Sequence, residues 1–228
     1  MAAKGLVATR SQAESFIRMG KVHVDGVIQK KPGFMVGESA DLQIKSEQYV
    51  SRAGLKLASV TERLKVDFRG KNVLDVGSST GGFTDYALRH GAAKVIAVDV
   101  GTNQLHPTLH GNPQIELHEQ TDIRAFLTIE RIDIVVMDVS FVSSRDLLPH
   151  IVTLCNKYTE LVIMVKPQFE AGKNQTNKGI IKNDKERRTI LADFETWSKK
   201  LFVIKDKSDS DVAGSKGNLE RFYLMKIL

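Results

Sequence analysis

The sequence predicts an α/β fold: a Rossmann-like, mostly parallel sheet with helices on both faces, preceded by a small α+β module. Three observations carry this. A buried strand, Val73 to Val76, runs into a Gly-rich turn and then a helix at Phe83 to His90. Further apolar runs follow, most of them ending in a charged residue and separated by helical stretches. The basic excess of the chain is confined to its first third. Alternating strands and helices build a sheet whose ligands gather at the C-terminal strand edge.

Residues 1–71 hold 13 Lys and Arg against 7 Asp and Glu, whereas residues 72–228 hold 20 of each, so the net +6 sits at the N-terminal end. A basic module joined to a neutral domain points to an anionic polymer as partner. A solvated basic face is the plain alternative. With 228 residues, 42% hydrophobic and 26% charged, the chain fits one or two soluble domains. No run nears the ~18 apolar residues of a membrane helix, so no membrane partner is expected. Residues 1–5 lack the apolar core of a secretory signal. The lone Cys155 excludes an internal disulfide and fits a reducing cytoplasm. No His/Cys group has metal-ligand spacing, and no metal is expected.

The chain divides into a module at 1–45, a linker at 46–50 and a larger domain at 51–228. In the module, Ser11 and Glu14 have capping-box spacing, and Gly20 can stop the helix they begin. Lys21 to Asp25 alternates and ends in an Asp25-Gly26 hairpin turn. Val27-Ile28, a turn at Lys30 to Gly33, and Asp41 to Ile44 complete the unit. After a polar connector, Val50 to Lys65 reads as a helix, with Ala53, Leu57, Val60 and Leu64 at helical spacing. Arg52 and Lys56 lie four apart on one side of it.

The turn at Asp75-Val76-Gly77-Ser78-Ser79-Thr80-Gly81-Gly82 is neither Gly-x-Gly-x-x-Gly nor a P-loop. Glycine there lets backbone approach a ligand. With little to hold phosphates, the turn suits S-adenosylmethionine. Lys94 to Asp99 is a second strand, and its terminal acid can hold ribose hydroxyls at about 1.5–3 kcal/mol per hydrogen bond. Gln114 to Leu117 is a third, followed by Asp122, placed to meet an adenine amine. Arg131 to Asp138 and Leu161 to Lys166 are the fourth and fifth. Lys182 to Lys200 reads as a helix, and Phe202 to Lys205 and Phe222 to Lys226 as closing strands.

Three strand or loop ends, Asp138, Lys166 and Glu220, join Lys56 as a set of two acids and two lysines. A buried lysine is costly unless paired, and this set is neutral. A structural ion network is the alternative reading.

Two resemblances follow from these residues. Thr9 to Ala13, Ile17, Gly20 to Gly26 and Lys30 to Pro32 resemble the alpha-L RNA-binding module of ribosomal proteins and RNA-modifying enzymes. That resemblance implies Arg10, Arg18, Lys21 and Lys30 at RNA phosphates, contacts that give affinity more than sequence reading. The family carries a further helix ahead of Gly5, and that first helix is expected to be missing here. Nearly the whole chain, Gly5 to Leu228, is similar to the TlyA family, haemolysin-named ribosomal RNA 2′-O-methyltransferases with an FtsJ-like catalytic domain. The motifs are Tyr49 to Leu57, Asp75 to Asp85, Asp138-Val139-Ser140-Phe141, Lys166 to Gly172 and Gly217 to Glu220. The resemblance implies Lys56, Asp138, Lys166 and Glu220 as a catalytic tetrad. It implies Gly77, Gly81, Gly82, Asp99, Asp122 and Asp138 around S-adenosylmethionine; Asp75 and Ser78 of the same turn complete the expected set. It further implies a ribosomal RNA or ribosomal subunit as partner and a cytidine ribose as acceptor. One departure is Ser210-Asp211-Val212, where relatives are expected to have Ser-Pro.

Other chemistries fit less well. Amine-directed enzymes carry Asn/Asp-Pro-Pro-Tyr/Phe after the fourth strand, where this chain has Asp138-Val139-Ser140-Phe141. Cytosine C5 chemistry needs a thiolate, and Cys155 lies in a helical stretch, Leu147 to Lys157, where packing is its expected role. A pore-forming cytolysin needs a long membrane-active element, and none is visible. An RNA-binding protein without catalysis is the remaining alternative.

Overall fold

The computed structural model describes the chain except residues 8–9, 19, 46–48, 172–175, 178–179, 182 and 215–216, and gives backbone alone at 11–12, 15 and 176–177. The connector at 46–48 and the expected helix start at Lys182 therefore lie outside the described residues.

A single 3-10 turn, Ala2–Lys4, opens the chain, followed by α1 (Arg10–Arg18), β1 (Val22–Val24), β2 (Val27–Gln29) and β3 (Leu42–Ile44). The strands form an antiparallel sheet in the order β2-β1-β3. Asp25 and Gly26 take φ values of 50° and 80°, the left-handed pair that a two-residue hairpin requires. Helix α1 begins at Arg10, so Ser11 lies inside it and is not the cap that its spacing predicted. Glu14 instead pairs with Arg18 one turn on, at 2.7 Å.

The module does not close its own core. Val7, Ala13, Phe16 and Val22 pack with Leu55 and Val212 of the larger domain, and half-buried Tyr49 joins the same cluster. Leu55 belongs to α2 (Arg52–Leu64), which Ser51 caps by accepting a hydrogen bond from Ala53 N–H at 3.3 Å.

The larger domain continues with β4 (Asn72–Val76), α3 (Gly82–Arg89), β5 (Lys94–Val98), β6 (Ile115–His118), β7 (Ile134–Met137), α4 (Ser144–Leu154) and β8 (Glu160–Val165). After these come a short helix α5 (Pro167–Glu170), a ribbon of β9 (Thr176–Asn177) and β10 (Ile180–Ile181), α6 (Asp184–Ser198), β11 (Phe202–Asp209) and β12 (Arg221–Ile227). The seven-stranded sheet runs β11-β12-β8-β7-β4-β5-β6. Strands β6, β5, β4, β7 and β8 are parallel, and β12 is antiparallel to both neighbours. The closing strands are longer than the sequence predicted: the polar residues Asp206 to Asp209 continue the ladder against Leu224 to Arg221, and Ile227 pairs with Phe202.

Period-two alternation sorts the strand residues onto two faces. Leu74, Ile96, Val135 and Ile163 pack with Leu148 of α4 and Phe194 of α6. Val73, Val95, Val136 and Val162 pack with Leu57 and Val60 of α2 and Phe83 of α3. Each such side chain, buried on both sheet faces, contributes about 1.5–3 kcal/mol. The chain leaves β4 toward β5 and β6, then returns to build β7 and β8 on its other side. The strand order therefore reverses between β4 and β7, the crevice where open α/β sheets bind ligands.

Candidate active site

The ends of β4, β5 and β7 open onto a cavity of about 500 Å³, lined by Gly77, Ser79, Asp99, Gln104, Asp122, Arg124, Asp138, Ser140 and Phe141 among apolar side chains such as Val98 and Val139. Gly77 takes φ 80°, and a Cβ on it would stand 2.7 Å from the Asp138 carbonyl oxygen. Only glycine lets β4 turn this closely against β7. Asp99 is fixed by its own surroundings: Oδ2 accepts from Ser79 N–H at 2.9 Å and Oδ1 from Gly101 N–H at 2.7 Å.

Of the expected cofactor residues, Gly77, Asp99, Asp122 and Asp138 are on this wall. Asp75, Ser78, Gly81 and Gly82 are not. Asp75 shares its sheet face with Val73, so α3 covers it and leaves it 1% exposed. Its Oδ2 accepts from the Thr84 hydroxyl at 2.6 Å, and burial pushes the carboxyl up to about 7. Ser78 is buried as well. The missing side chains of Gly81 and Gly82 make room for protein. A Cβ on Gly81 would lie 2.5 Å from Leu109 Cδ1, and one on Gly82 would meet Ser51 Oγ and lie 2.9 Å from Gly54 N at the start of α2. These two glycines seat α3 against its neighbours.

Asp122 reaches the wall but is engaged. Its carboxylate caps the 3-10 turn Ile123–Ala125 and pairs with Arg124 at 2.5 Å, which holds it down to about 2. Arg124 is thus the only cation on the wall among the described residues, and it is neutralised there. A surface of carboxylates and apolar carbons with no free cation fits a nucleoside without phosphates, and one that carries positive charge.

A second cavity, of about 650 Å³, shares Asp138, Ser140 and Phe141 with the first. It brings together all four residues of the expected tetrad: Lys56 from α2, Asp138 after β7, Lys166 after β8 and Glu220 before β12. They form two ion pairs, Lys56–Glu220 and Lys166–Asp138, each at 2.5 Å. Lys56 and Lys166 are 7% and 8% exposed and Glu220 2%, so each charge is stripped of most of its water and depends on its partner. Lys166 also donates to the Ser140 hydroxyl at 2.8 Å. Gly214 leaves space for Glu220, since a Cβ there would stand 2.8 Å from Oε1.

Two neighbours escaped the sequence reading as separate contributors. Ser140 orients Lys166, and Phe141 projects at the rim, 91% exposed, with φ 66° and its ring 5.2 Å from that of Phe169. A bulky residue at positive φ is an uncommon, strained conformation. The signal for both was the Asp138-Val139-Ser140-Phe141 motif, of which only the acid was given a role.

The four residues expected at RNA phosphates all belong to the module, and Lys30 lies against Gly20, the neighbour of Lys21. Arg10 lines a cleft of about 220 Å³ beside α1, and Lys21 lines a groove at the junction with α2. Lys30 is exposed, and Arg18 is tied to Glu14. Helix α4 stops at Leu154, short of the expected Lys157, and Cys155 follows it in extended backbone, its thiol pushed up to about 12 by burial, which keeps it protonated and unreactive. Among the described residues, no helix is long and apolar enough to cross a membrane, and no group of His, Cys, Asp and Glu is arranged to hold a metal.

Residues 49–227 match the model of the FtsJ-like methyltransferases, and residues 1–42 match the S4 domain. The chain is 43% identical over 192 residues to the 23S rRNA (cytidine-2′-O)-methyltransferase TlyA of Campylobacter jejuni, covering 83% of this chain and 75% of that protein. It is 35% identical over 232 residues to the 16S/23S rRNA (cytidine-2′-O)-methyltransferase TlyA of Mycobacterium tuberculosis, covering 98% and 86%. A solved structure described as a hemolysin from Streptococcus thermophilus superposes with a TM-score of 0.76 at 33% identity, covering 99% of this chain and 86% of that one. The chain belongs to the TlyA family of FtsJ-like methyltransferases, with an S4 domain at its N-terminus.

Proposed function

We propose that this chain is an S-adenosylmethionine-dependent RNA methyltransferase that acts on a ribose 2′-hydroxyl, that of a cytidine in ribosomal RNA. The observation that carries the reading is the meeting of two cavities at Asp138. One is acid-lined and suited to a cationic nucleoside, and the other holds the Lys56–Glu220 and Lys166–Asp138 pairs. Residues Gly77, Asp99, Asp122 and Asp138 would hold the cofactor, with Asp99 at the ribose hydroxyls. When bound, S-adenosylmethionine supplies an electrophilic methyl group.

The chain's own part is to position the acceptor and manage its proton. Lys166 already gives two of its three N–H donors to Asp138 and Ser140. The third is left for the 2′-oxygen, where it stabilises developing negative charge; as that oxygen bonds the methyl carbon, its proton passes to solvent water. Asp138 holds that lysine in place. Glu220 does the same for Lys56 on the opposite wall. Fixing the hydroxyl in line with the methyl carbon supplies several kcal/mol more. The exposed Phe141–Phe169 pair at the rim suits an unpaired nucleotide, because bases stack on aromatic rings. The S4 match and the basic N-terminal end support RNA as the polymer. The cytidine and the ribosomal substrate rest on the names of the Campylobacter and Mycobacterium relatives.

The test uses ribosomal subunits and S-adenosylmethionine bearing a labelled methyl group. A 2′-O-methyl blocks alkaline cleavage of the following phosphodiester, so the label is expected in alkali-resistant dinucleotides. Label recovered only in mononucleotides would place the methyl on a base and overturn the reading.

A further inference from the structure

Arg52 has no part in the tetrad, yet it lines the same cavity as Lys56, one turn earlier on α2. A guanidinium presents five N–H donors in a planar fork. Among the described residues a single one is used: Nη2 donates to the Ala213 carbonyl at 2.5 Å. Nε is closed off from solvent with no acceptor. A donor left in that condition is unfavourable until something accepts from it.

Charge makes the same point. The Lys56–Glu220 and Lys166–Asp138 pairs cancel. Among the described residues lining this cavity, Arg52 is then the one charge without an opposite partner. The cavity is therefore built one positive charge in excess, beside the place where a ribose has to enter. A ribose within an RNA chain brings an anion with it: the carbon next to that bearing the 2′-hydroxyl carries the 3′-phosphodiester.

We propose that Arg52 is a positioning residue that takes a phosphodiester oxygen of the RNA next to the target ribose. The proposal rests on the RNA 2′-O-methylation proposed above and names the group that aligns the sugar within it. A guanidinium can grip two phosphate oxygens at once, which fixes orientation as well as distance. Its bond to Ala213 ties that grip to the loop leading into Glu220, so the phosphate and the tetrad are held by one frame.

The experiment compares the full-length chain with R52Q and R52K. Equilibrium binding to unmethylated ribosomal subunits is measured from 50 to 200 mM salt, cofactor affinity by calorimetry, and methyl transfer in parallel. R52Q is expected to weaken subunit binding about ten-fold or more. It should also flatten the log–log salt dependence by about 0.7–0.9, the share of one phosphate. Cofactor affinity should stay as in the wild type, and R52K should regain most of the salt slope. If R52Q keeps the wild-type subunit affinity and salt slope while turnover falls, Arg52 only braces the loop at Ala213 and the proposal is wrong. Loss of cofactor affinity alongside RNA affinity would overturn it in the same way. A wild-type chain that shows the Arg52-dependent slope but puts its methyl elsewhere would remove the 2′-hydroxyl reading and leave the phosphate contact standing.

Discussion

Three carboxylates and one guanidinium line the first cavity, whereas three cations and two carboxylates line the second. The first is net negative and its cation is bound to Asp122; the second is net positive and its spare charge belongs to Arg52. Asp138 stands in both. This contrast teaches more than either wall does alone. A cationic nucleoside and an anionic chain cannot exchange places without meeting like charge, so each is directed to its own side of one carboxylate. The reacting oxygen and the methyl carbon would then meet at the shared rim.

If the division is real, substitutions on one side should leave the other working. The largest effect is expected for Lys166→Ala. Turnover should fall by about 10²–10³-fold or more, since the donor to the forming alkoxide is lost, while cofactor affinity stays within a few-fold by calorimetry. Comparable loss of both would mean that the two cavities are not separate in function. Next comes Asp99→Ala, which removes a carboxylate that Ser79 and Gly101 hold in place. Cofactor affinity should drop roughly 10- to 100-fold, with subunit binding unchanged. Unaltered cofactor affinity would take Asp99 out of the site.

A smaller, pH-dependent effect is expected beneath the first cavity. Burial pushes the Asp75 carboxyl up to about 7 in the folded chain, well above the usual carboxylate range, because it disfavours the charge. The folded state therefore binds the proton more tightly than the unfolded state between about pH 4 and 7. The associated stability is fully present below pH 4 and is lost as pH rises through 7. Asp75→Asn stays neutral throughout, so its melting temperature should change less than that of the wild type between pH 5 and 7.5. Identical pH profiles would show that Asp75 is ionised in the fold. The smallest effect belongs to Cys155→Ala: the thiol is protonated and packed at the end of α4, so turnover should stay near wild type in the same assay. A folded but inactive variant would return thiol chemistry to consideration.

The sheet was legible because its strands are short apolar runs and their ends are charged. Asp99, Asp138 and Lys166 each interrupt such a run, and a charge there can only face an edge. What was not legible depended on parity, on local pairing or on distance. Asp75 read as part of the ligand turn, although counting in twos from Val73 places it on the face that α3 covers. Arg124, two residues after Asp122, was passed over although that spacing allows the pair that occupies the acid. Gly81 and Gly82 were read as openings for a ligand, but the atoms that need their space come from Leu109 and α2. The closing of the module's core by Leu55 and Val212 joins residues far apart in the chain, and no local pattern announces it. The β9–β10 ribbon spans two residues per strand, too few for any alternation to show.

The most direct test of the two-cavity account is nucleoside mass spectrometry of ribosomal RNA after reaction with the purified chain and methyl-labelled S-adenosylmethionine. The account predicts label in 2′-O-methylcytidine with the wild type and about 100-fold less or lower with Lys166→Ala, which should still bind the cofactor. Label on a base nitrogen or carbon, or undiminished 2′-O-methylcytidine with Lys166→Ala, would contradict it.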